Sequence, residues 1–92
     1  MKTHKSHYSF HKIAVDTTGI TSNCNTISFI NKGNGTLYIK TTANANLLQI
    51  NALENITFGG RIEGIVSDTY DITFETGFTN NLQIIKETIT AY

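Results

Sequence analysis

The sequence predicts an all-β protein, a single antiparallel β-sandwich or jelly-roll-like domain of about seven short strands. Composition is the first reason, because thirteen Ile and fifteen Thr favour pleated strands while ten Asn and seven Gly supply turns. The second reason is that apolar and polar residues alternate in several short segments, and no segment shows a sustained helical spacing. The third is length, since 92 residues make one domain with a thin core.

The first seven residues are expected to form a flexible polar arm, followed by a sandwich domain over residues 8–92. Seven basic and seven acidic residues cancel, so no strong field favours nucleic acid or a membrane as a partner. No segment approaches the roughly 20 apolar residues that cross a bilayer, and the N-terminus lacks the apolar run of a signal peptide. We therefore expect synthesis in the cytoplasm without export.

The first strand is expected from Tyr8 to Val15, but its apolar residues change side along the way. Tyr8 and Phe10 lie on one side of an extended chain, whereas Ile13 and Val15 lie on the other. A regular strand with one buried face cannot place all four inside, so we expect a bulge near residues 11 and 12. Tyr8 and Phe10 are the residues expected to anchor the arm.

The most regular pair of predicted strands lies in the segment ISFINKGNGTLYIK. Ile27 and Phe29 alternate with polar residues before an Asn- and Gly-rich segment, and Leu37 and Ile39 resume the alternation after it. The glycines of the intervening residues 31–35 permit the positive φ angles of a loop. This pattern predicts a β-hairpin with the four apolar residues on one face.

The cleanest single strand is residues 70–75, where Tyr70, Ile72 and Phe74 alternate with polar residues. One side of this strand is predicted to be core and the other to face water. A further strand is expected over residues 54–58, with an irregular strand over residues 44–51, a weaker one over residues 62–66 and a turn over residues 16–19.

The last strand, residues 82–89, carries apolar residues on both sides. Leu82 and Ile84 fit a core face, so Ile85 and Ile89 point outward, and exposed isoleucines on a sheet face indicate a contact with another molecule. The alternatives are that the same sandwich covers both faces or that a bulge flips the strand. The residues expected at subunit contacts are Ile30, Ile85, Ile89 and Tyr92.

Residues typical of catalysis are scarce. Cys24 is the only cysteine, so it cannot form an intramolecular disulfide, and no base is expected beside it. Histidine occurs only among the first eleven residues, and the acidic residues fall on faces expected to be solvated. We expect no enzymatic activity, no cofactor and no metal site, although one histidine per chain on a trimer axis would form a ring able to bind an ion.

Three runs of the sequence resemble a known class of proteins: ISFINKGNGTLYI, LENITFGGRIEGIVSDTYDITF and TNNLQIIK. They are similar to small β-sandwich virion structural proteins of tailed phages, especially phages of Bacteroidetes hosts. The resemblance covers roughly residues 25–86, and it rests on fold-forming positions rather than on a functional motif. These positions are Asn31, Gly33, Ile39, Phe58, Gly59, Gly60, Tyr70, Ile72, Phe74, Asn80, Asn81 and Leu82.

The resemblance implies a capsid-decorating or tail-associated protein that is made in the host cytoplasm and assembles in the virion. Its expected partners are copies of itself, with a trimer favoured, and other virion proteins. The His- and Lys-rich N-terminus departs from the pattern of that class.

A second interpretation is a module that binds carbohydrate or a host surface receptor. Sugar sites present aromatic faces beside amide groups, and Tyr38 is predicted to lie on the side opposite Leu37 and Ile39. The residues that would contribute to such a site are Tyr38, Asn31, Asn34, Asn80 and Asn81. Tyr70 is expected in the core instead, because it shares a face with Ile72 and Phe74.

Overall fold

A computed structural model describes residues 4–41, 47–59 and 68–91 of the chain. Within these ranges the regular structure consists of eight β-strands, and no helix is present. The strands are β1 (His4–Ile13), β2 (Thr17–Thr21), β3 (Thr26–Asn31), β4 (Leu37–Thr41), β5 (Leu47–Ile50), β6 (Asn55–Gly59), β7 (Thr69–Phe74) and β8 (Leu82–Ala91). The strand expected over residues 62–66 lies outside the described residues.

The strands form two antiparallel sheets of four. Sheet A has the order β1-β8-β3-β6, and sheet B has the order β2-β7-β4-β5. When the two orders are compared position by position, each strand of sheet A corresponds to a strand of sheet B that is adjacent to it in the sequence: β1 to β2, β8 to β7, β3 to β4 and β6 to β5. This is the connectivity of a jelly roll. The predicted fold class is therefore confirmed, with eight strands rather than about seven.

The predicted β-hairpin between β3 and β4 is wrong. β3 pairs with β6 and β8 in sheet A, whereas β4 pairs with β5 and β7 in sheet B. The loop between them crosses from one sheet to the other, so their apolar residues face each other through the core. Alternation along a strand shows which side is buried, and it is the same whether the next strand lies beside the first or opposite it.

The additional strand is β2, which replaces part of the turn expected over residues 16–19. β2 pairs with β7, and its register shifts between Thr17 and Ile20. Gly19 lies within this irregular stretch with a φ of +75°. A bulge that uses the conformational freedom of glycine lets this edge strand continue, where the sequence alone indicated only a turn.

β1 is regular, so the bulge predicted near residues 11 and 12 is also wrong. It pairs with β8 without interruption from His4 opposite Ala91 to Ile13 opposite Leu82. The predicted boundary at residue 8 thus falls inside β1. The apolar residues change side because β1 is an edge strand on which Ile13 faces the core, while Tyr8 and Phe10 remain 58% and 62% exposed on the opposite face.

The core lies between the inner faces of the two sheets. Its centre contains three aromatic rings, with the Phe29 and Tyr70 ring centroids 5.0 Å apart and those of Phe58 and Tyr70 5.6 Å apart. Tyr70 is 1% exposed, which confirms that it belongs to the core. The other buried apolar residues are Cys24, Ile27, Leu37, Ile39, Ile50, Ile72, Phe74, Leu82 and Ile84.

Candidate interaction surfaces

The outer face of sheet A brings together apolar side chains from three strands. Phe10 of β1 lies opposite Ile85 of β8. The neighbours of Ile85 on the same face of β8 are Gln83 and Glu87. Ile30 of β3 lies opposite Gln83, diagonally next to Ile85. Because residues that face each other across a ladder share a side of the sheet, the register alone groups them.

Two further residues extend this group along the β1–β8 pair. Tyr8 lies opposite Glu87, and its hydroxyl donates a hydrogen bond of 2.9 Å to the Glu87 carboxylate. Ile89 lies opposite Ser6, beyond Tyr8 on the same face. We call these five residues the outer apolar patch: Tyr8, Phe10, Ile30, Ile85 and Ile89.

The patch is open to solvent mainly at its β1 side. Tyr8 and Phe10 are more than half exposed, whereas Ile30, Ile85 and Ile89 are half-buried by their neighbours. The structure thus places the residues expected at subunit contacts beside those expected to anchor the arm. Tyr92, the fourth residue expected at subunit contacts, lies outside the described residues.

Tyr38 lies on the outer face of sheet B, opposite Thr73 of β7 and Gln49 of β5. Its hydroxyl donates a hydrogen bond of 3.2 Å to the Glu75 carboxylate. This hydrogen bond to a negative group raises the pKa of the Tyr38 phenol above its ordinary value, because ionisation would remove the donated proton. These polar surroundings agree with the prediction that Tyr38 lies on the side opposite Leu37 and Ile39.

Asn31 is not on a surface at all, which differs from its predicted place in a ligand site. It is 1% exposed, and its Nδ2 donates to the carbonyl oxygens of Gly35 at 2.8 Å and Ile50 at 3.1 Å. Its Oδ1 accepts a hydrogen bond of 3.0 Å from the Gly33 amide. The side chain is therefore used to hold the loop between β3 and β4, and it is not offered to a ligand.

The remaining asparagine loops do meet at one end of the sandwich. The Lys32 amide donates to the Asn81 carbonyl oxygen at 2.8 Å, and the Asn34 Oδ1 accepts from the Thr79 amide at 2.8 Å. Asn34 is exposed, while Asn80 and Asn81 are half-buried. Beside them is an open depression of about 450 Å³ lined by Lys32, Gly33, Asn34, Ala52, Leu53 and Thr79.

Groups that bind metals or act as nucleophiles are dispersed in the described part of the chain. It contains no group of three or more His, Cys, Asp or Glu residues placed to hold a metal ion. Cys24 is buried, and burial raises the pKa of its thiol, with Lys86 opposing this effect. A thiol in this state is a poor nucleophile.

One feature of the structure was not predicted from the sequence. A recess of about 320 Å³ opens between β1 and β8 on one side and β2 on the other. It is lined by His11, Lys12, Ile13, Ile20, Thr21, Ile84 and Lys86. The sequence does contain a sign of this recess. Leu82, Ile84 and Lys86 share the inward face of β8, and Lys86 stands where the alternation would place an apolar residue.

Comparisons with known proteins identify no family for this chain. No protein-family model matches it, and no curated protein sequence matches it. Among solved structures, it is similar to one described as the crystal structure of PirA, with 13% sequence identity and a TM-score of 0.44. The match covers 89% of this chain and 92% of that chain, and a likeness of this size carries no argument about function.

No helix among the described residues has the length and apolar character needed to cross a membrane.

Proposed function

We propose that this protein is a structural component of a phage virion, decorating the capsid or associated with the tail, and that it acts by assembling with copies of itself. The observation that carries the assembly role is the outer apolar patch. The virion setting is supported by the resemblance of three sequence runs to small β-sandwich virion proteins. The jelly roll agrees with it only broadly, since this fold serves viral capsid and lectin domains alike.

The patch favours a protein partner because its two most exposed members are aromatic. Burying the exposed part of Phe10 contributes roughly 1–2 kcal/mol per copy, and Tyr8 adds a large ring whose hydroxyl already has a partner in Glu87. Aromatic residues in apolar surroundings are enriched where proteins bind one another. The patch thus supplies both the apolar area and the satisfied polar group that a stable contact needs.

A second copy is the partner that charge and strand geometry favour. The formal net charge is zero, so no net repulsion opposes self-association. β1 is ten residues long, yet of its described side chains only Ile13 is partly buried. Ordering such a strand costs roughly 1–2 kcal/mol per residue, and contact with another copy would offset part of that cost.

The test is the molar mass of the purified protein by light scattering over a wide concentration range. We expect a discrete closed oligomer, with a trimer as the favoured size. Ile85→Asp combined with Ile89→Asp should give a monomer, because each introduces an unpaired charge into the contact. Phe10→Ser should weaken association by about tenfold or more without harming the fold, since Phe10 is 62% exposed.

Val15→Ser is the matched control, because Val15 is 70% exposed but lies in the bend after β1 rather than in the patch. It should assemble like the unchanged protein. A wild-type monomer at every concentration would contradict self-assembly and favour the glycan-binding interpretation, with the depression at Asn34 and Thr79 as its site. The virion setting is tested separately by mass spectrometry of purified phage particles, in which the chain should be present at a fixed ratio to the capsid protein.

A further inference from the structure

The recess between β1, β8 and β2 combines an apolar floor with one cationic group, the ammonium of Lys86. Ile84 lies opposite His11 in the β1–β8 ladder, and Ile13 follows one inward position along β1. Ile20 closes the recess from sheet B. Ile13 and Ile20 are half-buried and pack against the core, so the floor is a continuation of the core that the sheets leave uncovered.

Lys86 gives this recess its charge. Its Nζ donates a hydrogen bond of 2.6 Å to the Thr21 carbonyl oxygen, which holds the ammonium group at the seam between the sheets. An ammonium group has three N–H donors, so two remain for another acceptor. The hydrogen bond to Thr21 is exposed, so these donors are accessible from solvent.

Among the described residues that line the recess, none is an aspartate or glutamate. Besides Lys86 they include His11, which shares the inward face with Ile84, whereas Lys12 lies opposite Gln83 and belongs to the outer face of sheet A. Glu87, the next residue along β8, belongs to the other face and accepts the hydrogen bond from Tyr8. The local charge therefore favours a negatively charged occupant.

We propose that the recess binds a compact organic carboxylate. The carboxylate accepts charge-assisted hydrogen bonds from the Lys86 ammonium and the His11 ring, and its apolar body covers the exposed parts of Ile13 and Ile20. The volume of about 320 Å³ lies at the lower end of the range for small-molecule sites, which limits the body to a single ring or a short branched chain. Inorganic phosphate fits less well, because it would leave the apolar floor uncovered.

The experiment is a titration of the ¹⁵N-labelled protein with benzoate, up to about 20 mM, followed by amide chemical shifts. We expect saturable shifts confined to the residues around the recess, including Ile20, Thr21, Ile84 and Lys86. Benzyl alcohol has a similar body without the charge, so it should bind at least about tenfold more weakly. Equal binding of the two probes, or no saturable shift with benzoate, would overturn the proposal.

Lys86→Met should abolish the preference for benzoate, while Lys86→Arg should keep it because the charge is retained. Lys40→Met is the matched control, since Lys40 is exposed on the outer face of sheet B. Benzoate binding that survives Lys86→Met unchanged would exclude Lys86 as the anchor. If Lys86→Met does not fold, the comparison of the two probes on the unchanged protein decides the matter.

Discussion

At the scale of single residues, the side chain of Asn31 has more structural consequence than its polar character suggested. It joins three backbone segments, at Gly33, Gly35 and Ile50, from a position that is almost inaccessible to water. The sequence shows Asn in a loop flanked by Gly, which predicts a turn. It does not show whether the amide faces solvent or ties the loop to a strand of the other sheet, because that depends on residues nearly twenty positions away.

Asn31→Ala should lower the free energy of unfolding by about 2–4 kcal/mol, because two carbonyl oxygens and one amide would be left buried without this partner. Urea unfolding at a low protein concentration measures the loss. Asn34→Ala is the control: its single hydrogen bond to the Thr79 amide is exposed, so the expected loss is about 0.5–1 kcal/mol. An equal loss of unfolding free energy for the two variants would show that the buried hydrogen bonds of Asn31 stabilise the fold no more than the exposed one of Asn34.

At the scale of elements, the sequence predicted the strands that bury one face and mispredicted the course of the edge strands β1 and β2. The alternation of Tyr70, Ile72 and Phe74 gave the correct inward face of β7, since a central strand must bury every second residue. β1 and β2 are edge strands with few buried residues, so their hydrophobic pattern contains little information about their faces. The sequence placed the outward residues of β8 correctly. Their neighbours on β1 could be identified only from the register of the β1–β8 pair.

The two faces of β8 should respond differently to truncation. Ile84→Ala should lower the free energy of unfolding by about 3 kcal/mol, because Ile84 is 1% exposed and its loss leaves a cavity. Ile85→Ala should cost less than about 1.5 kcal/mol in the monomer, because Ile85 is only half-buried on the outer face. Chemical unfolding below the association concentration compares them, and a larger loss for Ile85 would mean that the outer face is covered within one chain.

At the scale of the whole molecule, the pairing of β1 with β8 joins regions that are distant in sequence. His7 and Thr88 lie opposite each other in this ladder, with Cα atoms expected about 4.5–5.5 Å apart. No local pattern predicts a contact over such a separation, and this is why the sequence indicated the fold class without giving the order of strands in the sheets.

A disulfide introduced by His7→Cys and Thr88→Cys tests this order. It should form on air oxidation and raise the free energy of unfolding by about 2–4 kcal/mol over the reduced form of the same variant, because it closes a loop of about 80 residues. Both positions are exposed, so the reduced variant should be nearly as stable as the unchanged protein. Failure of the bond to form would contradict the register. Cys24 is buried, so it should not compete by thiol–disulfide exchange with the two introduced cysteines.

The connectivity also determines what happens if the backbone is cut. Among the described strands, every consecutive pair except β4 and β5 lies in opposite sheets. A single protease cut in the turn at Ala52 and Leu53 would yield one piece with β1 to β5 and another with β6 to β8. In sheet A these pieces would alternate strand by strand, so neither could keep that sheet alone. The cut protein should therefore stay associated under native conditions and come apart only in denaturant, as two interlocked halves of one cooperative unit.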